Sequence, residues 1–120
     1  MFEKITLHTP RQFVPADLNA GEWASLAPLF DQLEQQFSAA TDTAQLEQAI
    51  LNWEELSAAI AEEGSKRYIA MTCPTSSEEA KKAYLGFVED VEPGMKEQMF
   101  KLAKLFVEHP LRGELASERY

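Results

Sequence analysis

The sequence predicts an all-α protein: an antiparallel bundle of three to four helices with a short extended N-terminal arm. Three observations carry this. Apolar residues recur every three or four positions over long stretches, which places them on one face of a helix. Strand signals are nearly absent, with few β-branched runs and no Asn-Gly or Asp-Gly hairpin turn. Helix stops are followed closely by helix starts, and short connections make successive helices antiparallel neighbours. At 120 residues, 45% hydrophobic and 26% charged, the chain has the size and composition of one domain with its own core.

Residues 1–19 form the expected arm. Pro10 and Pro15 interrupt any helical period, while Phe2, Ile5 and Leu7 suit a short extended piece and Phe13-Val14-Pro15 a second apolar anchor. Residues 20–120 form the expected helical domain. Asn19 offers a side-chain oxygen as an N-cap. Trp23, Leu26, Phe30, Leu33 and Phe37 then make the first apolar stripe. Pro28 falls inside it, at a cost of about 3 kcal/mol in a helix interior, so a kink or a short first turn is expected there. Residues 38–41 read as a connection, and Asp42 or Thr43 can cap the second helix. Leu46, Ile50, Trp53, Leu56 and Ile60 form its stripe, and the pattern resumes beyond Gly64 with Tyr68, Ile69 and Met71. Pro74 disfavours helical geometry at Cys73, so the helix stops there.

Thr75 and Glu78 fit a capping box for the third helix. Ala80, Tyr84, Phe87, Val88 and Val91 are its apolar positions. Pro93-Gly94 is expected to break or kink it, before Met95, Met99, Leu102, Leu105 and Phe106 carry the stripe on to His109-Pro110. Residues 111–120 hold Leu111 and Leu115, and leave no room for another element.

The chemistry the sequence excludes is broad. Eleven basic against twenty acidic residues give a net charge of −9. The lysines and arginines sit beside carboxylates, so no basic patch exists for a nucleic-acid backbone. The acidity suits cationic partners, and more simply a solvated surface. One cysteine precludes an internal disulfide and fits a cytoplasmic location. No apolar run reaches membrane-spanning length, and the first residues lack a signal-peptide core.

Zinc hydrolysis on a helix calls for His-Glu-x-x-His. The two histidines, His8 and His109, stand about a hundred residues apart, and His109 reads as a surface residue near a helix C-terminus. Cys73, at the negative end of a helix dipole, reads as a small buried filler with a raised thiol pKa. Adjacent pairs such as Glu54-Glu55 and Glu62-Glu63 diverge on a helix, and even Glu55 and Glu62, seven apart on one face, read as solvated. Trp23, Trp53, Phe30 and Phe87 read as core. Met71, Met95 and Met99 are core positions first and the lining of an adaptable groove second. No catalytic, cofactor-binding or metal residue is assigned, and no cofactor is expected in this chain.

Several pieces together carry a resemblance. They are Arg11-x-Phe13-Val14-Pro15-x-Asp17, Trp23-x-x-Leu26-x-Pro28-x-Phe30, Trp53-Glu54-Glu55-Leu56, Arg67-Tyr68-Ile69-x-Met71-Thr72-Cys73, Ala83-Tyr84-x-x-Phe87-Val88 and Glu92-Pro93. From about residue 4 to residue 120 the chain resembles the N-terminal helical region of oligoendopeptidase F-type, thimet-like zinc metallopeptidases. The Arg67–Cys73 stretch is the most specific part. Gly64-Ser65 and Gly94-Met95 depart from the pattern.

The resemblance implies a helical segment that precedes a catalytic domain and helps wall a channel in which zinc-dependent cleavage of oligopeptides occurs. The zinc and its ligands are expected only in a full-length family member. The resemblance further implies an N-terminal fragment whose partner is the missing C-terminal catalytic domain, inactive alone. The alternative is a stand-alone helical interaction module. Arg67, a cation embedded in an apolar run, is expected to be a buried or interdomain ion-pair partner.

Overall fold

The computed structural model describes residues 13–119. The expectations for Phe2, Ile5, Leu7, His8, Pro10, Arg11 and Tyr120 therefore lie outside the described residues. The rest is all-α, as predicted: α1 (Trp23–Ala39), α2 (Thr43–Thr72), α3 (Glu78–Val107) and a short α4 (Arg112–Arg119), with no strand among the described residues.

The three long helices run up, down and up. The level of each is fixed by its contacts. Phe37 near the end of α1 packs edge-on against Trp53 of α2 and Phe106 of α3, while Trp23 at the start of α1 lies against Gly94. Tyr68 of α2 meets Tyr84 of α3 at 5.6 Å between ring centroids. So α1 and α3 are parallel, and α2 is antiparallel to both. The core they enclose holds Leu26, Phe30, Leu33, Phe37, Leu46, Leu56, Ile60, Val91 and Leu102, each essentially inaccessible. Its buried polar side chain, Asn52, is satisfied on both sides. Its Nδ2 donates to Gln36 Oε1 at 2.9 Å, and its Oδ1 accepts from Gln48 at 3.0 Å, which removes the cost of an orphaned buried amide.

The helix starts differ from the sequence-based assignment in instructive ways. Asp42 does cap α2, accepting from the Gln45 backbone N–H at 2.8 Å. Asn19 does not cap α1: its side chain closes a turn onto the Gly21 N–H, and Glu22 occupies the cap position with no side-chain bond. The orphan donor is taken from across the bundle instead, by Asp90 of α3, whose Oδ2 accepts from the Trp23 N–H at 2.9 Å. The α3 cap is Ser77, accepting from Ala80 at 3.1 Å, and not Thr75. Thr75 turns its hydroxyl toward Cys73 Sγ. Two capping candidates within three residues compete, and the one nearer the apolar stripe wins.

The expected break at Pro93-Gly94 does not occur, since α3 is one helix of 30 residues with Pro93 inside it. Pro28 likewise sits inside a continuous α1 that begins at Trp23. Each proline removes one i→i−4 bond. The residues four back, Ala24 and Glu89, are exposed, so water can take the carbonyls set free. Gly64 does not interrupt α2, which runs to Thr72 and stops where Pro74 dictates.

Gly94 has a packing reason. A Cβ built there would stand 2.5–2.7 Å from three atoms of the Trp23 indole, inside contact distance. Gly94→Ala is therefore expected to lower stability by about 1–2 kcal/mol, although alanine is the better helix former by about 0.5–1 kcal/mol. Urea unfolding checks this, and an unchanged midpoint would mean that the indole re-seats freely.

The chain's last segment is a correction. Residues 112–119 form α4, which packs on α2 and buries Leu115, with Leu111 half-buried beside the core. His109 is likewise more than a surface residue. Its Nε2 lies 2.9 Å from the Phe37 carbonyl while Nδ1 accepts from the Leu111 N–H at 3.1 Å. The accepting Nδ1 places the ring proton on Nε2, where it donates to Phe37 O. The imidazole thus ties the end of α1 to the turn between α3 and α4.

Candidate functional site

Helix lengths create the site. At 1.5 Å per residue, α2 and α3 each span about 45 Å, whereas α1, with 17 residues, spans about 25 Å. Because the start of α1 lies level with Asp90 and Gly94, the tip of the α2–α3 hairpin extends beyond α1. Along it runs a groove of about 480 Å³. Ile60, Ala61, Gly64, Ser65, Tyr68 and Ile69 line it from α2, facing Tyr84, Phe87, Val88, Val91, Glu92 and Met95 from α3. Gly64 sets its floor: a Cβ there would approach the Phe87 ring to 3.0 Å, so the glycine lets that ring lie close against α2. Tyr68, Ile69 and Leu85 are 52%, 68% and 55% exposed. Large apolar side chains left in water on adjacent turns mark a surface meant to be covered.

The residues before α1 meet α2 at two levels. Glu55, read from sequence as solvated, is half-buried, and its carboxylate accepts from the Val14 N–H at 2.6 Å and the Phe13 N–H at 3.4 Å. Further along, Arg67 pairs with Glu63 in its own helix at 2.6 Å, lies over the Phe87 ring at 5.6 Å, and abuts Gly21. Arg67 is thus a half-buried ion-pair partner within α2. The Arg67 hydrogen bond holds the Glu63 carboxyl below the usual carboxylate range against an opposing effect of burial, and the charges of Arg67 and Lys66 add to the lowering. Sequence reasoning missed Glu55 because its partners are backbone groups, which leave no residue-type signal.

Cys73 corrects the expectation of a buried filler. It is exposed, because α2's last turn projects past any covering layer. Its thiol pKa is lowered rather than raised, by hydrogen bonds from the Thr75 hydroxyl and then the Thr75 backbone, against a smaller opposing effect of desolvation. Phe30 and Phe87 are core as expected, and Trp23 and Trp53 are partly buried against it. Of Met71, Met95 and Met99, Met95 lines the groove. Met99 lines a shallower recess with Trp53, whose indole N–H points at its sulfur from 2.9 Å, and Met71 borders neither.

The metal associated with the resemblance is zinc. Among the described residues no three His, Cys, Asp or Glu side chains gather to hold a metal ion. Both His109 nitrogens are engaged by backbone groups, and Cys73 belongs to no group of three such side chains among the described residues. The donor set does not fit zinc, and no chemical step through a metal is assigned to these residues. Among the described residues no helix is long and apolar enough to cross a membrane.

Fold and groove together define a helical packing domain, closed around its own core on one side and open along an apolar hairpin on another. The chain belongs to the Peptidase M3 N-terminal domain family, whose model matches residues 13–120. The M3 peptidases are zinc-dependent, act on peptides, and include thimet oligopeptidase and oligoendopeptidase F. No curated protein and no solved structure shows significant similarity to the chain.

Proposed function

We propose that the chain is the N-terminal scaffold and substrate-channel segment of a cytoplasmic zinc-dependent oligopeptidase of the oligoendopeptidase F type. The family match over residues 13–120 carries this reading. The Arg67–Cys73 and Trp53–Leu56 stretches support the subfamily, and the lone cysteine supports the compartment. The zinc, its ligands and the catalytic groups belong to a C-terminal catalytic domain, oligopeptides are the substrates of the whole enzyme, and no residue of this segment enters the chemistry. Neither nucleic acid nor a membrane is a partner. The segment's part is to hold one wall of the channel on the rigid α2–α3 hairpin.

A stand-alone helical interaction module is the second reading, favoured by the closed core around Phe30 and Phe37. One measurement separates them: the mass of the native gene product, detected in its host with an antibody against this segment. The peptidase reading expects a band several times larger than 13.5 kDa. A single band at 13.5 kDa overturns it in favour of the module.

A further inference from the structure

We infer that Met99 is a site of reversible sulfoxidation by peroxide, and that the Trp53 indole N–H is the donor that holds the sulfoxide oxygen. Trp53 Nε1 lies 2.9 Å from Met99 Sδ, and both residues are half-buried. An indole nitrogen only donates, and a thioether is a weak acceptor, so this donor is spent on a poor partner. A sulfoxide oxygen is a far better one. Oxidation of Met99 therefore strengthens a hydrogen bond already aimed at the sulfur. In most packed methionines it sets a polar group against carbon instead.

The pair opens on a recess of about 410 Å³, whose other lining residues are Ile50, Glu54 and Ser57. That space admits a peroxide molecule and leaves room for the one oxygen atom added. In the step, a sulfur lone pair attacks one peroxide oxygen and the O–O bond breaks. The sulfur gains an S–O bond and is oxidised by two electrons, which reduce the peroxide. The departing hydroxide takes the proton of the transferred oxygen and leaves as water. A sulfide has two lone pairs, so the one facing the indole N–H does not prevent attack by the other. A dithiol reductant reverses the change, becoming a disulfide as the oxygen leaves as water.

Met95, one turn earlier on α3, is the contrast. It lines the groove with Ile60, Phe87 and Val91. Among the described residues neither its sulfur nor that of Met71 accepts a hydrogen bond. A sulfoxide at Met95 is a polar group set among apolar side chains without a protein donor, which carries a cost. Two methionines four residues apart thus differ in what oxidation does to the fold.

The test treats the 120-residue chain with hydrogen peroxide, locates the added oxygen by peptide mass spectrometry, and follows the indole N–H resonances by NMR. Met71→Leu with Met95→Leu isolates Met99, and Met71→Leu with Met99→Leu isolates Met95. The expected result is an oxygen at Met99 that moves the Trp53 indole resonance and leaves that of Trp23 in place. A methionine sulfoxide reductase with a dithiol should restore both mass and resonance. The urea midpoint should fall less than about half as far for the Met99 sulfoxide as for the Met95 sulfoxide.

Trp53→Phe lacks the donor and should erase that difference. Should it not fold, Met99→Gln takes its place: the amide oxygen offers the indole an acceptor, and the variant should lose less stability than Met95→Gln. Met99 left unoxidised by peroxide that oxidises Met95 would overturn the inference. So would a Trp53 indole unmoved by oxidation of Met99, or equal falls in midpoint for the two sulfoxides.

Discussion

Phe37→Ala is expected to lose about 3–5 kcal/mol of unfolding free energy, the range for a fully buried phenylalanine cut back to a methyl group. The ring is fully buried and packs edge-on against Trp53 and Phe106, so it joins all three long helices at one level. Its loss removes apolar burial and both aromatic contacts, and leaves a cavity that only concerted movement of α1, α2 and α3 could close. Against a total stability of about 5–15 kcal/mol for a domain, that loss removes a large share of the reserve. Urea unfolding followed by circular dichroism measures it. Phe100→Ala is the control: that ring is 73% exposed, and its removal should stay within about 0.5 kcal/mol. A Phe37→Ala change of less than about 1 kcal/mol would mean that the bundle repacks easily, and that the ring is not the joint of the three helices.

Phe37 also shows what a sequence carries. Its place at the end of the Trp23–Leu26–Phe30–Leu33 series is a periodic signal, and periodicity survives folding because burial enforces it. The all-α class, the stripes of the three long helices, the Asp42 cap and the stop before Pro74 were readable for the same reason: each depends on residues close in sequence. The Asp90 cap of α1 was hidden, because its partner is Trp23, 67 positions away. Pro93 looked like a break because propensity counts the missing hydrogen bond and does not see which side of the helix faces water. α4 was overlooked because eight residues with one strong apolar anchor carry little period of their own. Their helix is supported by Leu115 entering a core made by others.

The groove was half legible for a related reason. Met71, Met95 and Met99 together read as core first and groove lining second, and of these Met95 lines this groove, while Tyr68 and Ile69 belong to the most specific stretch of the family resemblance. That they stand in water follows from the difference in length between α1 and the α2–α3 hairpin, a property of the assembled bundle and not of any window of sequence. The same difference explains the exposed Cys73, since the turn that carries it lies past the reach of α1.

Glu55→Ala is expected to destabilise the chain by about 2–3 kcal/mol and to release residues 13 and 14 from α2. A hydrogen bond to a charged group is worth about 1.5–3 kcal/mol, and a donor left buried without a partner adds its desolvation cost. Here the carboxylate takes two backbone N–H groups, of Phe13 and Val14, and the Val14 residue is buried at 5% exposure, so water does not readily replace the lost acceptor. Glu55→Gln keeps one acceptor oxygen without the charge and should lose less than Glu55→Ala. Glu54→Ala, on the exposed side of the same turn, should stay within about 0.5 kcal/mol.

Hydrogen exchange at the Phe13 and Val14 amides separates this anchoring from a general loss of stability. In Glu55→Ala those two amides should exchange faster than the core amides of α2 by more than the change in global stability accounts for. Equal acceleration everywhere would assign Glu55 to the bundle and not to the arm, and an unchanged midpoint would remove it from both. The outcome bears on how this wall is built. Glu55 binds the arm and Arg67 abuts Gly21 just after it, at levels of α2 twelve residues apart, about 18 Å, and the second level is the helix turn whose Tyr68 and Ile69 line the groove. An arm freed at Glu55 keeps its contact between Gly21 and Arg67, so the groove should retain its shape while the bundle loses stability. If the groove instead changed with the arm, the two ends of the segment would be mechanically coupled through α2.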